Sequence, residues 1–389
     1  MQQEKLQCNC CGCGACALKC PKQAITMQQD NMGFLIPVID NQLCIDCGLC
    51  EKVCSFKKQQ KHKWQPLKVY GGRLKDLEAL SKSQSGGAFW AFACQIIKNN
   101  GVVYGVALTD SFTATHIRVT SIHDLQRLRG SKYVQSVVGD TYCSVAADLK
   151  QGRKVLFSGT PCQVSGLMAC LSPKQYENLY TVDLVCHGVP SPQVWKDYLN
   201  WIENKVGDKI THCNFRDKKY GWGSHIETFI FEKKREITLS IFKELFYRHL
   251  IIRESCHNCP FTNLSRVSDV TVGDYWGWSS ASNRFCDQKG MSLILINTIK
   301  GDKLFEAAKQ DLLIEASNIQ DCLQPQLKHP AERPLEKDAF IKDYHANGFE
   351  YALRKYAIIG WRHSIKNLLE QLYLFVQKVN FHLKRMKIR

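Results

Sequence analysis

Two stretches near the start of the chain, CCGCGACALKCP at residues 10–21 and CIDCGLCEKVC at residues 44–54, repeat one cysteine spacing. The first sets out Cys10, Cys13, Cys16 and Cys20; the second sets out Cys44, Cys47, Cys50 and Cys54. Three closely spaced thiolates wrap three irons of one cubane, and the fourth reaches back to close the other cluster. The duplication therefore predicts a bacterial-type ferredoxin fold with two 4Fe-4S clusters. One is assigned to Cys10, Cys13, Cys16 and Cys54, the other to Cys44, Cys47, Cys50 and Cys20. Gly12, Gly14 and Gly48 suit a tightly curled backbone with N–H groups turned toward sulfide. Ser55 stands where the first run has Pro21, which alters a turn and removes no ligand. Cys8 and Cys11 are surplus, because the frame starting at Cys10 supplies all four ligands before a proline. Zinc or a disulfide knot is the competing reading, and two complete runs in tandem weigh against it.

The chain has 20 cysteines in 389 residues. Such density marks either a secreted disulfide scaffold or a reduced metal protein. MQQEKLQ at the start has neither the basic nor the apolar segment of a secretory signal, and apolar stretches such as 88–97 are too short to span a bilayer. The expectation is a cytoplasmic protein whose thiolates serve metal. A hydrophobic fraction of 44% with 23% charged residues excludes disorder of the whole chain. The net charge of +16, weighted toward the C-terminus, favours nucleic acid, an anionic membrane surface or an acidic redox partner. No DNA-reading motif is present, so no nucleic acid is expected.

The cysteine-rich part occupies residues 1–58, and KKQQKHKW at 57–64 reads as a linker. Residues 59–335 alternate buried strands with helices. Residues 101–108, 154–158 and 179–185 read as strands, and 85–98, 141–150 and 193–203 as helices. Residues 228–231 and 236–239 read as an antiparallel pair. The predicted fold class is α/β (α+β): a ferredoxin fold fused to a mixed-sheet α/β domain. Residues 336–389 read as a helical, basic tail. Within it, 359–389 place Trp361, Leu368, Leu369, Leu372, Leu374 and Phe375 among lysines and arginines. That pattern suggests either peripheral contact with the inner face of the membrane or docking on the protein's own body.

The body carries a second set of cysteines. GTPCQ at 159–163 and CHG at 186–188 each follow a strand, and CHNCP spans 256–260. Ligands of open α/β sheets bind at the C-terminal ends of strands. Convergence on a third 4Fe-4S cluster is one reading. Buried apolar filler, zinc and a redox dithiol are the others. SQSGG at 83–87 precedes an apolar helix, where glycine lets backbone N–H groups approach a phosphate. RGSKY at 129–133 offers charge, hydroxyls and an aromatic face to a dinucleotide. A plain helix cap and a surface loop explain the same residues. No G-x-G-x-x-G run supports a standard NAD site.

SQSGGAFWAF, RGSKYVQS, GTPCQVSGL, DLVCHGVPSP, FRDKKYGW and CHNCPFTNLSRVSDVTVGDYWG occur in this order across roughly residues 67–300. Together they resemble the family formed by the beta subunits of coenzyme F-420 hydrogenases and dehydrogenases, whose members include N-terminal ferredoxin fusions. The resemblance implies an oxidoreductase with FAD and a 4Fe-4S cluster in its body. It also implies exchange of electron pairs with a redox partner protein or a small-molecule acceptor or donor, coenzyme F-420 among them. Carried over by motif, Cys162, Cys186, Cys256 and Cys259 are the implied ligands of the body cluster. Ser85, Gly86, Gly87, Ser131, Lys132 and Tyr133 are implied flavin contacts, with Arg216, Lys218 and Asp274 lining the same site. Fused relatives resemble bacterial proteins encoded with cell-surface polysaccharide enzymes, so an electron-transfer subunit supplying such an enzyme is the alternative. No side chain is singled out as the catalytic acid or base.

His187 and His257 adjoin the proposed ligands and read either as partners of cluster sulfur and the flavin or as packing. Trp222, Trp276 and Trp278 read as a cofactor shield or as core. Cys94, Cys143, Cys170, Cys213, Cys286 and Cys322 lack clustered spacing and read mostly as core.

Overall fold

The computed structural model describes residues 7, 9–56, 65–171, 177–276 and 287–357. The linker at 57–64, the tail at 359–389, Cys8, Trp278 and Cys286 lie outside them.

In the N-terminal part, β1 (Ile25–Gln29) and β2 (Leu35–Ile39) form an antiparallel hairpin with Met27 opposite Pro37. Buried Ile25 and Ile39 pack against Cys16, Cys20, Cys44 and Cys50. So small an apolar core gives little stability by itself, which leaves metal ligation as the expected source.

The body is built on a mixed sheet. Its strands are β3 (Lys68–Leu74), β4 (Val102–Leu108), β5 (Ala114–Val119), β6 (Val155–Gly159), β7 (Leu179–Leu184), β11 (Val270–Asp274), β12 (Ser292–Ile296) and β13 (Leu312–Ala316). The order is β13-β3-β12-β11-β7-β6-β4-β5. β4, β6, β7 and β11 run parallel to their neighbours in this group, and the outer pairings are antiparallel. The parallel strands are covered on both faces, so they read as continuous apolar runs. Alternation sends Val103, Leu156 and Val182 to one face, against α1 (Ala88–Lys98). Val102, Tyr104, Val155 and Phe157 go to the other face, against α2 (Thr141–Lys150) and α3 (Pro161–Cys170). A second layer joins α4 (Pro192–Val206) to the antiparallel β8 (Ile210–Asn214), β9 (Glu227–Phe231) and β10 (Glu236–Leu239), with α5 (Ile241–Tyr247) beside them.

The alternation of strands and helices thus yields the α/β fold it predicts, and element ends move by at most three residues from the expected spans. The pair at 228–231 and 236–239 sets Thr228 opposite Thr238. After 336 the chain forms α6 (Lys337–Tyr356), interrupted at Gly348 with φ of 81°. Its Phe340, Leu353 and Tyr356 bury in one cluster with Trp195, Tyr198 and Phe242. No helix among the described residues is long and apolar enough to cross a membrane.

Candidate functional site

Two short helical turns, Ala15–Leu18 and Leu49–Lys52, start at Gly14 and Gly48 with φ of 77° and 68°. That left-handed start suits glycine and swings the preceding loops around their cysteines. Gly12 N donates to Cys10 Sγ and Ala24 N to Cys20 Sγ, both at 3.2 Å. Cys10, Cys13, Cys16 and Cys54 lie close enough to act on one another electrostatically. Cys20, Cys44, Cys47 and Cys50 line a separate small cavity with Ile25 and Ile39. The chain therefore gathers its eight repeat cysteines into two crossed sets.

A third set faces one cavity in the body. Cys162 stands in the first turn of α3, where Thr160 and Gln163 form a reciprocal cap and Pro161 opens the helix. Cys186 follows β7 directly, and Cys256 and Cys259 come from the 3-10 turn Glu254–Asn258 and its end. These four share the cavity with Cys11, Phe56, Arg253 and Phe261. Cys11, surplus by spacing, is half-buried within hydrogen-bond reach of both Cys13 and Cys162. Nothing in the local sequence marks it for that place.

Burial pushes the Cys256 thiol up to about 11 and Cys259 to about 12, and it raises Cys186 well above the ordinary thiol range. The hydrogen bond from Cys11 draws Cys162 down to about 7. All cysteines among the described residues are free of disulfides. Among the same residues, no three or more His, Cys, Asp or Glu close around a point that would hold a single metal ion. Four thiols that face one cavity are the donor set that a 4Fe-4S cluster takes.

A large cavity of about 630 Å³ opens at the C-terminal ends of β6, β7 and β11. Ligand sites commonly have this size and this position in an α/β sheet. Ser85, Gly87, Ser131, Lys132, Tyr133, Arg216 and Asp274 line it. It shares Thr160, Gln163, Cys186, His187, Gly188 and Val189 with the cysteine cavity. One wall therefore separates the two spaces. Volume, cationic lining and aromatic faces together fit a flavin nucleotide.

Asp274 organises one side of this cavity. Ser85 Oγ donates to its Oδ1, Trp222 Nε1 reaches the same oxygen at 2.9 Å, and Arg216 Nη1 stands 2.5 Å from Oδ2. Burial alone would raise the Asp274 carboxyl, but Arg216 and the two hydrogen bonds hold it below its usual range. Trp222 stacks on Trp276 with ring centres 5.1 Å apart. Lys132 donates to Arg129 O at 2.7 Å, and burial lowers it to about 7. Lys218 donates to Ser85 O at 2.7 Å, and burial followed by Arg216 lowers it to about 7. Gly86 lies behind the wall. A Cβ there would overlap backbone atoms of Gly72 and Ser292.

The neighbouring histidines bond to protein groups. His187 Nε2 is 2.8 Å from His249 Nε2, and its Nδ1 is 2.7 Å from Gln326 Nε2. His257 contacts Ala331 O at 2.9 Å and Lys337 Nζ at 2.7 Å. Cys94, Cys170, Cys213 and Cys322 are buried as core, whereas Cys143 is exposed.

A thiol-rich ferredoxin part joined to an α/β body with a strand-end cavity defines an iron–sulfur electron-transfer protein. Residues 9–58 match the 4Fe-4S dicluster domain, and residues 152–321 match the family described as coenzyme F420 hydrogenase/dehydrogenase, C terminus of the beta subunit. The first match lies in the cysteine-rich N-terminal part and the second in the α/β body. The chain is 21% identical to the F subunit of the F(420)H(2) dehydrogenase of Methanosarcina mazei over 320 residues, which is 78% of this chain and 84% of that protein. A chain in the xenon-derivatised F420-reducing NiFe hydrogenase complex of Methanosarcina barkeri is 15% identical, with a TM-score of 0.48. That match covers 75% of this chain and 91% of the other.

Proposed function

We propose that this chain is an iron–sulfur flavoprotein oxidoreductase that connects ferredoxin-type clusters to FAD and serves a small soluble substrate or a deazaflavin-like coenzyme. One observation carries the reading: Cys11 adjoins both Cys13 and Cys162, and Cys186 borders both the cysteine cavity and the large cavity. The candidate cofactor sites thus form a contiguous row. Clusters supply one-electron transfer, and a flavin supplies the exchange between single electrons and pairs.

The chain's own residues have distinct parts in this reading. Cys162, Cys186, Cys256 and Cys259 would hold the body cluster. Gly87 and the first turn of α1, with Ser131 and Lys132, would offer N–H, hydroxyl and ammonium donors to flavin phosphates. Arg216 and Asp274 fix each other and Trp222 at the cavity wall, so they would orient a planar ring system beside Tyr133 and Trp276. The division into residues 1–58, 59–335 and 336–389 belongs to the same proposal, with α6 docked on the body.

Support for a deazaflavin-like substrate is the name of the Methanosarcina mazei relative, which refers to F(420)H(2). That relative is also named as a subunit, which favours a second reading in which this chain feeds a separate enzyme. Turnover by the isolated chain with soluble acceptors would speak against the second reading. Anaerobic purification with iron, sulfide and flavin analysis tests the first. About twelve irons and one FAD per chain are expected from three cubanes and one flavin. About eight irons without flavin would overturn the account of the body and leave the ferredoxin part standing.

A further inference from the structure

The ferredoxin part and the body meet at a buried arginine. Arg253, only 4% exposed, follows Ile252, whose bridge to Pro190 ties it to the segment after β7. Its Nε donates to Cys10 O at 2.6 Å, and its Nη2 donates to Leu35 O at 2.9 Å. Its Nη1 donates to Gln135 Oε1 at 3.2 Å. Gln135, 5% exposed, continues the seam: Leu35 N donates to its Oε1, and its Nε2 donates to Cys11 O, both at 3.1 Å. All three arms of the guanidinium therefore end on neutral oxygens.

A guanidinium stays charged in proteins, and burying it without a counter-charge is costly. Among the described residues, Arg253 is in no ion pair with a carboxylate. Anionic candidates nearby are thiolates from both sides of the seam. Arg253 is bonded to the Cys10 carbonyl and lines the cavity that Cys162 and Cys256 face. It thus lies between one proposed ligand of the inner ferredoxin cluster and two of the body cluster. A cubane held by four thiolates is anionic, and its negative charge grows by one on reduction. A fixed cation stabilises the more negative state, and net charge is one of the quantities that set cluster potential.

We infer that Arg253 is the shared counter-cation of the two clusters that face each other across this seam, raising the reduction potential of both while it docks one part on the other. The inference rests on the cysteine assignments proposed above. Arg253 is a positioning and potential-setting residue. The outer set of Cys20, Cys44, Cys47 and Cys50 lines a different cavity, so it serves as the internal reference.

The test is an EPR-monitored redox titration of the full chain, purified anaerobically with iron counted first. Arg253→Met should lower the reduced-to-oxidised ratio of the inner ferredoxin cluster and the body cluster at least tenfold at fixed poise. For a one-electron couple that is about 59 mV. The outer cluster should not move, and Arg253→Lys should restore most of the shift. Gln135→Glu provides an independent arm if the methionine variant loses iron. A carboxylate placed against Nη1 would neutralise the guanidinium, so the same two potentials should fall. Unchanged potentials in variants with full iron overturn the inference, as does a lysine variant that falls as far as methionine. A wild-type count near eight irons overturns the cysteine assignment itself, which is a separate failure.

Discussion

Arg216 and Asp274 form an ion pair in the cavity wall, with Nη1 2.5 Å from Oδ2 and the arginine side chain 2% exposed. The pair joins the loop after β8 to the end of β11, and the same carboxylate receives Ser85 and Trp222. Removing one member leaves the other charge buried and unpaired. Asp274→Asn should therefore destabilise the protein by about 3–5 kcal/mol in urea titration. It should also weaken retention of FAD, measured as flavin per chain. Wild-type stability in this variant would show that solvent already screens the pair.

Lys132 gives a pH dependence with a definite sign. Burial lowers it from 10.5 to about 7. Between those values the unfolded chain binds a proton that the folded chain does not, so this lysine makes stability rise with pH from about 7 to 10.5. An anionic phosphate in the cavity favours the charged ammonium, so binding there takes up a proton. FAD affinity should fall as pH rises above about 7, by at most roughly tenfold per pH unit from this one group. Fluorescence titration at several pH values measures it, and Lys132→Met should flatten the profile.

Cysteine substitutions separate ligands from neighbours. Cys186→Ser should remove about four irons, one cubane, while the ferredoxin signals persist in EPR. Cys11→Ala should keep the full iron content, because the four other thiols of that cavity suffice for a cubane. A loss of about four irons on Cys11→Ala would instead place Cys11 among the ligands.

Gly86 tests packing behind the cavity. Its N donates to Ser292 Oγ at 2.9 Å and its O accepts from Leu74 N at 2.8 Å. The turn is thereby pressed against β3 and β12, with no room for a methyl group. Gly86→Ala should cost about 1–3 kcal/mol or more by overpacking, read from thermal or urea unfolding. Gly130→Ala gives a contrast: a Cβ there meets nothing, and only its φ of 78° opposes the change. It should cost about 1 kcal/mol.

Much of the fold is legible because its signals are local. GVVYGVAL, KVLFS and LYTVDL are short apolar runs bounded by polar or glycine residues, and each forms a parallel strand. β3, β11, β12 and β13 are absent from the strands that the sequence predicts. KVYGGRL at 68–74 carries two glycines and charged ends, and its place in the sheet is set by pairing with β12 and β13. The helical reading after 336 holds as far as Tyr356. That α6 buries Phe340 and Leu353 against α4 and α5 follows from partners that lie far away in sequence.

The sequence by itself determined the ferredoxin part, because the spacing of thiols around a cubane is a constraint on a dozen consecutive residues and needs no distant partner. It also determined the parallel strands β4, β6 and β7, through apolar runs that must be covered on both faces. Tertiary structure alone decided which surplus cysteine lies beside the body set, and that Gly86 packs against the sheet. It also decided that Arg253 reaches Cys10 across 243 positions. Those outcomes depend on burial. The surroundings of a thiol or a guanidinium are set by every segment packed around it, and no local pattern encodes them.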